Sequence, residues 1–286
     1  MFDSDDAVPE SVSGDPAGWP APEITLNLTA PAEWRTIEEA VGIRVPYVDR
    51  AFGPPHSIVV RKGQASLDVR DDETILEVES VDPHALGLLV ANRAAIRRES
   101  SGLVTLHAVA VAREHEALLL VGPPLAGKTT IALRLRQNGW NLLAANTSLV
   151  SSAGELVGGS RNVTVRGHAS RTADFGGDPF ALTHVGWLDA LPAAIPLRSI
   201  LFVCCFPGSA LAHSLPAPGY ELLNVASELP RCCSVVGPNL VDVGLDSRDH
   251  ALQRFSICAA LAELTPVLRV TGAPEMISGW INENYS

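Results

Sequence analysis

The sequence predicts an α/β protein: a phosphate-binding-loop core of nucleotide-binding type, preceded by a small, mostly-β lobe. Three observations predict it. The stretch "GPPLAGKT" at 122–129 fits G-x-x-x-x-G-K-[ST] at every fixed position. The run before it, "EALLLVG" (116–122), is almost continuously apolar, as a strand buried on both faces would be. The run after it, "TTIALRLRQNG" (129–139), has helical spacing and closes on Gly139.

The elements follow in chain order. Residues 1–22 read as a disordered acidic tail, with Asp3, Asp5, Asp6, Glu10 and Asp15, no basic residue in the first twenty, and prolines and glycines among them. A small β-rich lobe with one helix is expected over 23–100. Its strands are "ITLNLTA" (24–30), "HSIVVR" (56–61), "ASLDVR" (65–70) and "TILEVES" (74–80), separated by Gly, Pro and Asp. Its helix is 84–99, capped by Asp82 with Pro83 in the first turn. The core domain is expected over 101–286. "VTLHAVAVA" (104–112) and "EALLLVG" read as two strands joined by the solvated turn "REHE" (113–116). "NLLAANTSLVS" (141–151) reads as one strand, and "GELVGG" with "NVTVRG" as a hairpin around Gly158, Gly159 and Ser160. The stretch 167–195 reads as an irregular loop. A buried strand (198–206), a helix (250–264), a strand (266–272) and a last helix from Ala273 complete the chain.

Composition narrows the function classes. The 286 residues are 47% hydrophobic, ample for a packed core. A net charge of −11 argues against a nucleic-acid partner, because little here could release counterions from a phosphate backbone. No apolar run approaches the roughly 20 residues of a membrane span, and the N-terminus lacks the basic and apolar regions of a signal peptide. The expectation is a cytoplasmic protein with no membrane partner. The adjacent pairs Cys204–Cys205 and Cys232–Cys233, with Cys258, do not form a CxxC metal pattern and read as free thiols packed as small hydrophobes.

The loop carries the chemistry. Gly122 and Gly127 let the backbone turn so that successive N–H groups face phosphate oxygens, and the following helix adds its positive end. Pro124, Leu125 and Ala126 complete the cradle, and Thr130 continues it into the helix. Lys128 would reach the β- and γ-phosphates, and the Thr129 hydroxyl would bind Mg²⁺. The expected ligands are ATP, with GTP not excluded, and Mg²⁺.

The order "LHAVAVAREHEALLLVGPPLAGKT", then a short helix, then "GWNLLAANTSLV", resembles the catalytic domain of HPr kinase/phosphorylase and its relatives. These share a phosphoenolpyruvate-carboxykinase-like nucleotide fold. His107-Ala108 stands at the family's His-Gly, "TVRG" (164–167) at its "EIRG", and "PVLRVTGAPEMISGWI" resembles its closing strand and helix. The resemblance spans residues 100–285 and implies a phosphotransferase that assembles as a homo-oligomer. The departures matter as much. The family's paired aspartates act as base and metal ligand; here Ala145 and Asn146 stand there, and Thr164 replaces the glutamate. A neutral amide at Asn146 can offer Mg²⁺ an oxygen but cannot take a proton.

The other candidates remain two-sided. His107 is a base or phosphate contact, or a satisfied histidine at a strand edge. Arg161, Arg166 and Arg171 could clamp phosphates or form a solvated patch. Asp174 and Asp178 are the best replacement acids, in a loop that could close over a substrate. The leading expectation is ATP-dependent phosphorylation of a hydroxyl on a peptide, protein or small metabolite, in a biosynthetic setting. One rival is a degenerate kinase whose nucleotide binding organises a partner complex. Another is a tailoring enzyme running different chemistry on the same loop.

Overall fold

The computed structural model describes residues 19–28, 34–64, 66–166, 182–191, 193–206, 213–217, 219–231 and 246–285. The first lobe runs β1 (Ile24–Leu28), α1 (Trp34–Arg44), β2 (His56–Lys62), β3 (Ser66–Val69), β4 (Glu73–Val78) and α2 (Pro83–Glu99). Its sheet has the order β1-β2-β4-β3, with β1, β2 and β4 parallel and β3 antiparallel to β4. Alternation along β2 and β4 turns Ile58, Val60, Leu76 and Val78 inward. There they meet Ile37 and Val41 of α1 and Leu86, Leu89 and Val90 of α2. Each such side chain, fully buried, contributes about 1.5–3 kcal/mol of transfer free energy. Asp82 caps α2 by accepting from the His84 N–H at 2.9 Å, with Pro83 in the first turn.

The second lobe runs β5 (Leu103–Leu106), β6 (Ala108–Arg113), β7 (Glu116–Val121), α3 (Lys128–Gln137), β8 (Asn141–Ala144), β9 (Ser148–Ser151), β10 (Glu155–Gly159), β11 (Asn162–Arg166), β12 (Leu182–Trp187), β13 (Ile195–Cys205), β14 (His213–Pro216), α4 (Tyr220–Ala226), α5 (Glu228–Arg231), α6 (Arg248–Leu264), β15 (Val267–Gly272) and α7 (Pro274–Asn284). Nine strands form one mixed sheet. Its main path is β5-β9-β10-β13-β7-β6-β8, and β15, edged by β14, also pairs with β13. β7, β13 and β15 are parallel, while β6 is antiparallel to both β7 and β8.

Helices cover both faces of β7, which explains its unbroken apolar run. Leu118 and Leu120 pack with Ile131 and Leu135 of α3 and Ile277 and Ile281 of α7. Leu119 and Val121 face the other way, toward Leu222 of α4 and Ile257 and Leu261 of α6. The molecule is thus mixed α/β, with parallel and antiparallel pairing in the same sheet. No helix among the described residues is long and apolar enough to cross a membrane.

Buried charge ties the first lobe internally and joins it to the second. Arg98, fully buried, donates through Nε to Glu23 Oε1 at 2.5 Å and through its other nitrogens to the carbonyls of Pro46 and Pro20. Arg254 of α6, also fully buried, donates to Glu99 at the end of α2 (2.5 Å) and to Asp246 (2.8 Å). Leu229 of α5 enters the core of the first lobe.

Several expectations need correction. Trp19 and Ala21 are buried in the first lobe's core, so that lobe reaches back into the segment read as tail. The lobe holds two helices, not one, since 34–44 is helical. The run 104–112 is two strands broken at His107, because the chain crosses there from pairing with β9 to pairing with β7. The run 141–151 is also two strands, broken at residues 145–147. β10 and β11 are not a hairpin: β10 pairs with β9 and β13, and β11 pairs with β12. Residues 182–187, read as loop, form β12.

Candidate functional site

The strand register places one edge of the large sheet at the glycine loop. Val121, the last residue of β7, faces Ala108 across the antiparallel pair and Phe202 across the parallel one. β8 runs parallel to β7 and ends at Ala144, opposite Ala110. So Gly122, His107, Asn146 and Val203–Cys205 all lie at the edge where β7, β8 and β13 end. This is the edge at which open α/β sheets bind ligands.

The loop geometry follows from two glycines. Gly122 has φ +154°, and a Cβ there would stand 2.8 Å from the Val203 carbonyl oxygen. Gly127 has φ +87° and precedes α3 directly; a Cβ there would collide with the Cys205 thiol. Leu125 also takes a left-handed conformation, φ +69°, and its side chain is 70% exposed. Pro124 is exposed and Ala126 buried. Alternating left- and right-handed backbone of this kind turns N–H groups inward and makes an anion-binding concavity.

No side chain caps the start of α3. The N-cap is Gly127, which has no side chain to cap with, so the positive end of the helix dipole faces the loop. Lys128 is buried, and its Nζ donates to the carbonyls of Gly122 at 2.6 Å and Pro123 at 3.0 Å. The ammonium is thus held across the loop mouth by its own backbone. Thr129 is half-buried and Thr130 exposed. These features fit a polyphosphate.

Asn146 sits in a polar floor. Its backbone N–H donates to Ser160 Oγ at 3.1 Å, and its Nδ2 lies 3.4 Å from the Asn162 carbonyl. Ser160 and Asn162 are buried, as is Thr147, whose hydroxyl finds no hydrogen-bond partner among the described residues. The oxygens this floor could offer a cation are all neutral. Among the described residues, no group of three or more His, Cys, Asp or Glu could hold a metal. This donor set does not make a protein-only cage for Mg²⁺. Such a cation would arrive coordinated by the nucleotide's own phosphates and by water.

His107 stands at the break between β5 and β6. Its Nδ1 lies 3.2 Å from Glu228 Oε2, and the two side chains are 27% and 42% exposed. Arg161 stacks on Tyr47, 5.0 Å from the ring centroid, and donates to the Leu188 carbonyl at 2.6 Å. Those contacts tie the base of β11 to the segments after α1 and after β12. Arg166 ends β11, with its side chain outside the described residues, as are Arg171, Asp174 and Asp178 altogether. The structure therefore brings the glycine loop, Asn146 and His107 to one edge.

Sequence reading missed Glu228, Ser160, Asn162 and Cys205. Glu228 lies 121 positions from His107, and no motif signals the pairing. A shallow cleft at the opposite end of β7, lined by Arg113, Glu116, Trp140, Arg198 and Tyr285, is separate from this edge. No protein-family model matches the chain, and no curated protein matches it.

Proposed function

We propose that the chain is a nucleoside-triphosphate-dependent phosphotransferase of HPr-kinase-like type, acting on a hydroxyl acceptor. The observation that supports it most is the loop between β7 and α3. Its two positive-φ glycines leave no room for a Cβ, its helix begins on a glycine with no capping side chain, and its lysine lies across the mouth. Phosphoryl transfer asks mainly for positioning and charge stabilisation, because the transition state is loose. Gly122–Thr130 position the outer phosphates. Lys128 exchanges two carbonyl partners for phosphate oxygens. Mg²⁺ arriving with the nucleotide would neutralise charge on those oxygens, and Thr129 and Asn146 are the residues that would add neutral oxygens to its shell.

A second reading is nucleotide binding without transfer, serving a partner complex. The neutral residues Ala144, Ala145 and Asn146 favour it, since none can accept a proton.

Calorimetric titration with ATP and Mg²⁺, with GTP as a second arm, tests the shared premise. Lys128→Ala removes charge-assisted hydrogen bonds worth about 1.5–3 kcal/mol, so affinity should fall about 10- to 150-fold. Equal affinity in the variant would refute the loop assignment. A transfer assay against hydroxyl-bearing peptides and metabolites then separates the two readings.

A further inference from the structure

We propose that Glu228 is a positioning residue for His107, and that this pair supplies the proton acceptor at a site whose 144–146 segment offers none. The proposal rests on the phosphotransferase reading above. His107 is one residue from Ala108, which faces Val121 at the root of the glycine loop; facing Cα atoms in such pairs are about 4.5–5.5 Å apart. The backbone at His107 thus lies beside the root of the loop that would hold the transferred phosphoryl group.

Glu228 Oε2 lies 3.2 Å from Nδ1 of that ring. A carboxylate there fixes the proton on Nδ1 and leaves the Nε2 lone pair free to accept another. In the transfer step the acceptor oxygen bonds to the terminal phosphorus as its O–H bond breaks. The proton passes to Nε2 of His107. The bond to the bridging oxygen breaks, and the nucleoside diphosphate leaves with that electron pair.

What distinguishes this pair from an ordinary surface ion pair is how the carboxylate is held. Glu228 opens a single helical turn, α5, that would not hold a position by itself. Both of its flanks are pinned by buried groups. Ahead of it, the Ser227 hydroxyl accepts from Nη1 of Arg254 at 3.3 Å, and Arg254 is anchored in turn by Glu99 and Asp246. After it, Nδ2 of fully buried Asn92 donates to the Leu229 and Pro230 carbonyls at 3.1 and 3.0 Å. Helices α2 and α6, one from each lobe, thus hold the backbone on either side of one half-exposed carboxylate. The contacts that dock α5 onto α2 and α6 thereby also fix where the carboxylate stands, as a positioning residue requires.

The test uses the full chain as wild type, Glu228→Ala, Glu228→Gln and His107→Gln. Nitrogen-15 NMR reads the ring tautomer, with His107→Gln assigning the signal. ATP titration reads affinity, and slow ATP hydrolysis reads turnover, with water standing in for the acceptor hydroxyl. In Glu228→Ala the His107 proton should move from Nδ1 toward Nε2, turnover should fall about 10- to 100-fold, and ATP affinity should stay within about twofold. Glu228→Gln keeps an oxygen for Nδ1–H, so it should keep the tautomer and much of the rate. An unchanged tautomer in Glu228→Ala overturns the positioning role. Unchanged turnover in His107→Gln overturns the role of the pair as proton acceptor. Failure of the wild type to bind ATP instead overturns the phosphotransferase reading, and the catalytic part of this proposal with it, while the tautomer still reports on Glu228.

Discussion

Replacing Gly127 by alanine isolates the constraint that shapes the loop. Two penalties act there, and the structure separates them. The backbone sits at φ +87°, which costs a residue with a Cβ about 1–2 kcal/mol. The new methyl also meets the Cys205 thiol, and forcing extra volume into a packed site costs about 1–3 kcal/mol. Gly127→Ala should therefore destabilise by about 2–5 kcal/mol. Cys205→Ala removes the thiol but leaves its Cβ 3.1 Å from the new methyl, a tight contact that a few tenths of an ångström relieve. In that background the same change should cost little more than the backbone penalty, giving a coupling of about 1–3 kcal/mol. Urea denaturation of the four proteins of the cycle, followed by tryptophan fluorescence, measures both numbers. A cost below about 0.5 kcal/mol, or the same cost in both backgrounds, would refute the idea that β13 moulds the loop through Cys205.

Two further perturbations probe the frame around the site. Arg254→Ala leaves the Glu99 carboxylate buried without its partner and should cost about 3–5 kcal/mol in urea denaturation; replacing Glu99 by leucine as well should recover part of that loss. Burial holds the His56 imidazole down, from an ordinary 6.5 to about 4, with Arg97 and Arg93 adding to the effect. The folded state thus resists a proton that the unfolded chain takes up. Stability from this group is fully present above pH 6.5 and is lost as pH falls toward 4, by up to about 3 kcal/mol. Thermal melts of wild type and His56→Asn across that window should converge in slope if another group is responsible, and should differ if His56 is.

What the sequence revealed was whatever local chemistry determines. The Asp82 cap and Pro83 needed only their own helix, and the buried strand at 116–121 needed only its apolar run. The glycine loop was legible because left-handed backbone at fixed positions requires glycine there. Pairing was not legible. Nothing in "TLHAVAV" marks a break, since no Gly or Pro intervenes; the split at His107 comes from a change of partner strand. "GELVGG" and "NVTVRG" looked like neighbours because glycines lie between them. Yet a Cβ on Gly158 would collide with the Tyr47 carbonyl, so that glycine serves a close approach rather than a turn. Glu228 was invisible because its role exists only once α5 is docked on α2.

That docking also bears on how the chain divides. α5 belongs by sequence to the second lobe, yet Leu229 is part of the first lobe's core, and Asn92 of the first lobe spends its amide on α5 carbonyls. A fragment ending near residue 100 would lack Leu229 and would leave a buried amide without acceptors. The complementary fragment would leave Arg254 without Glu99 and Leu229 without cover. Each half is thus missing a piece that the other holds. The position between α2 and β5, where composition suggests a seam, is a place where one cooperative unit would be cut in two.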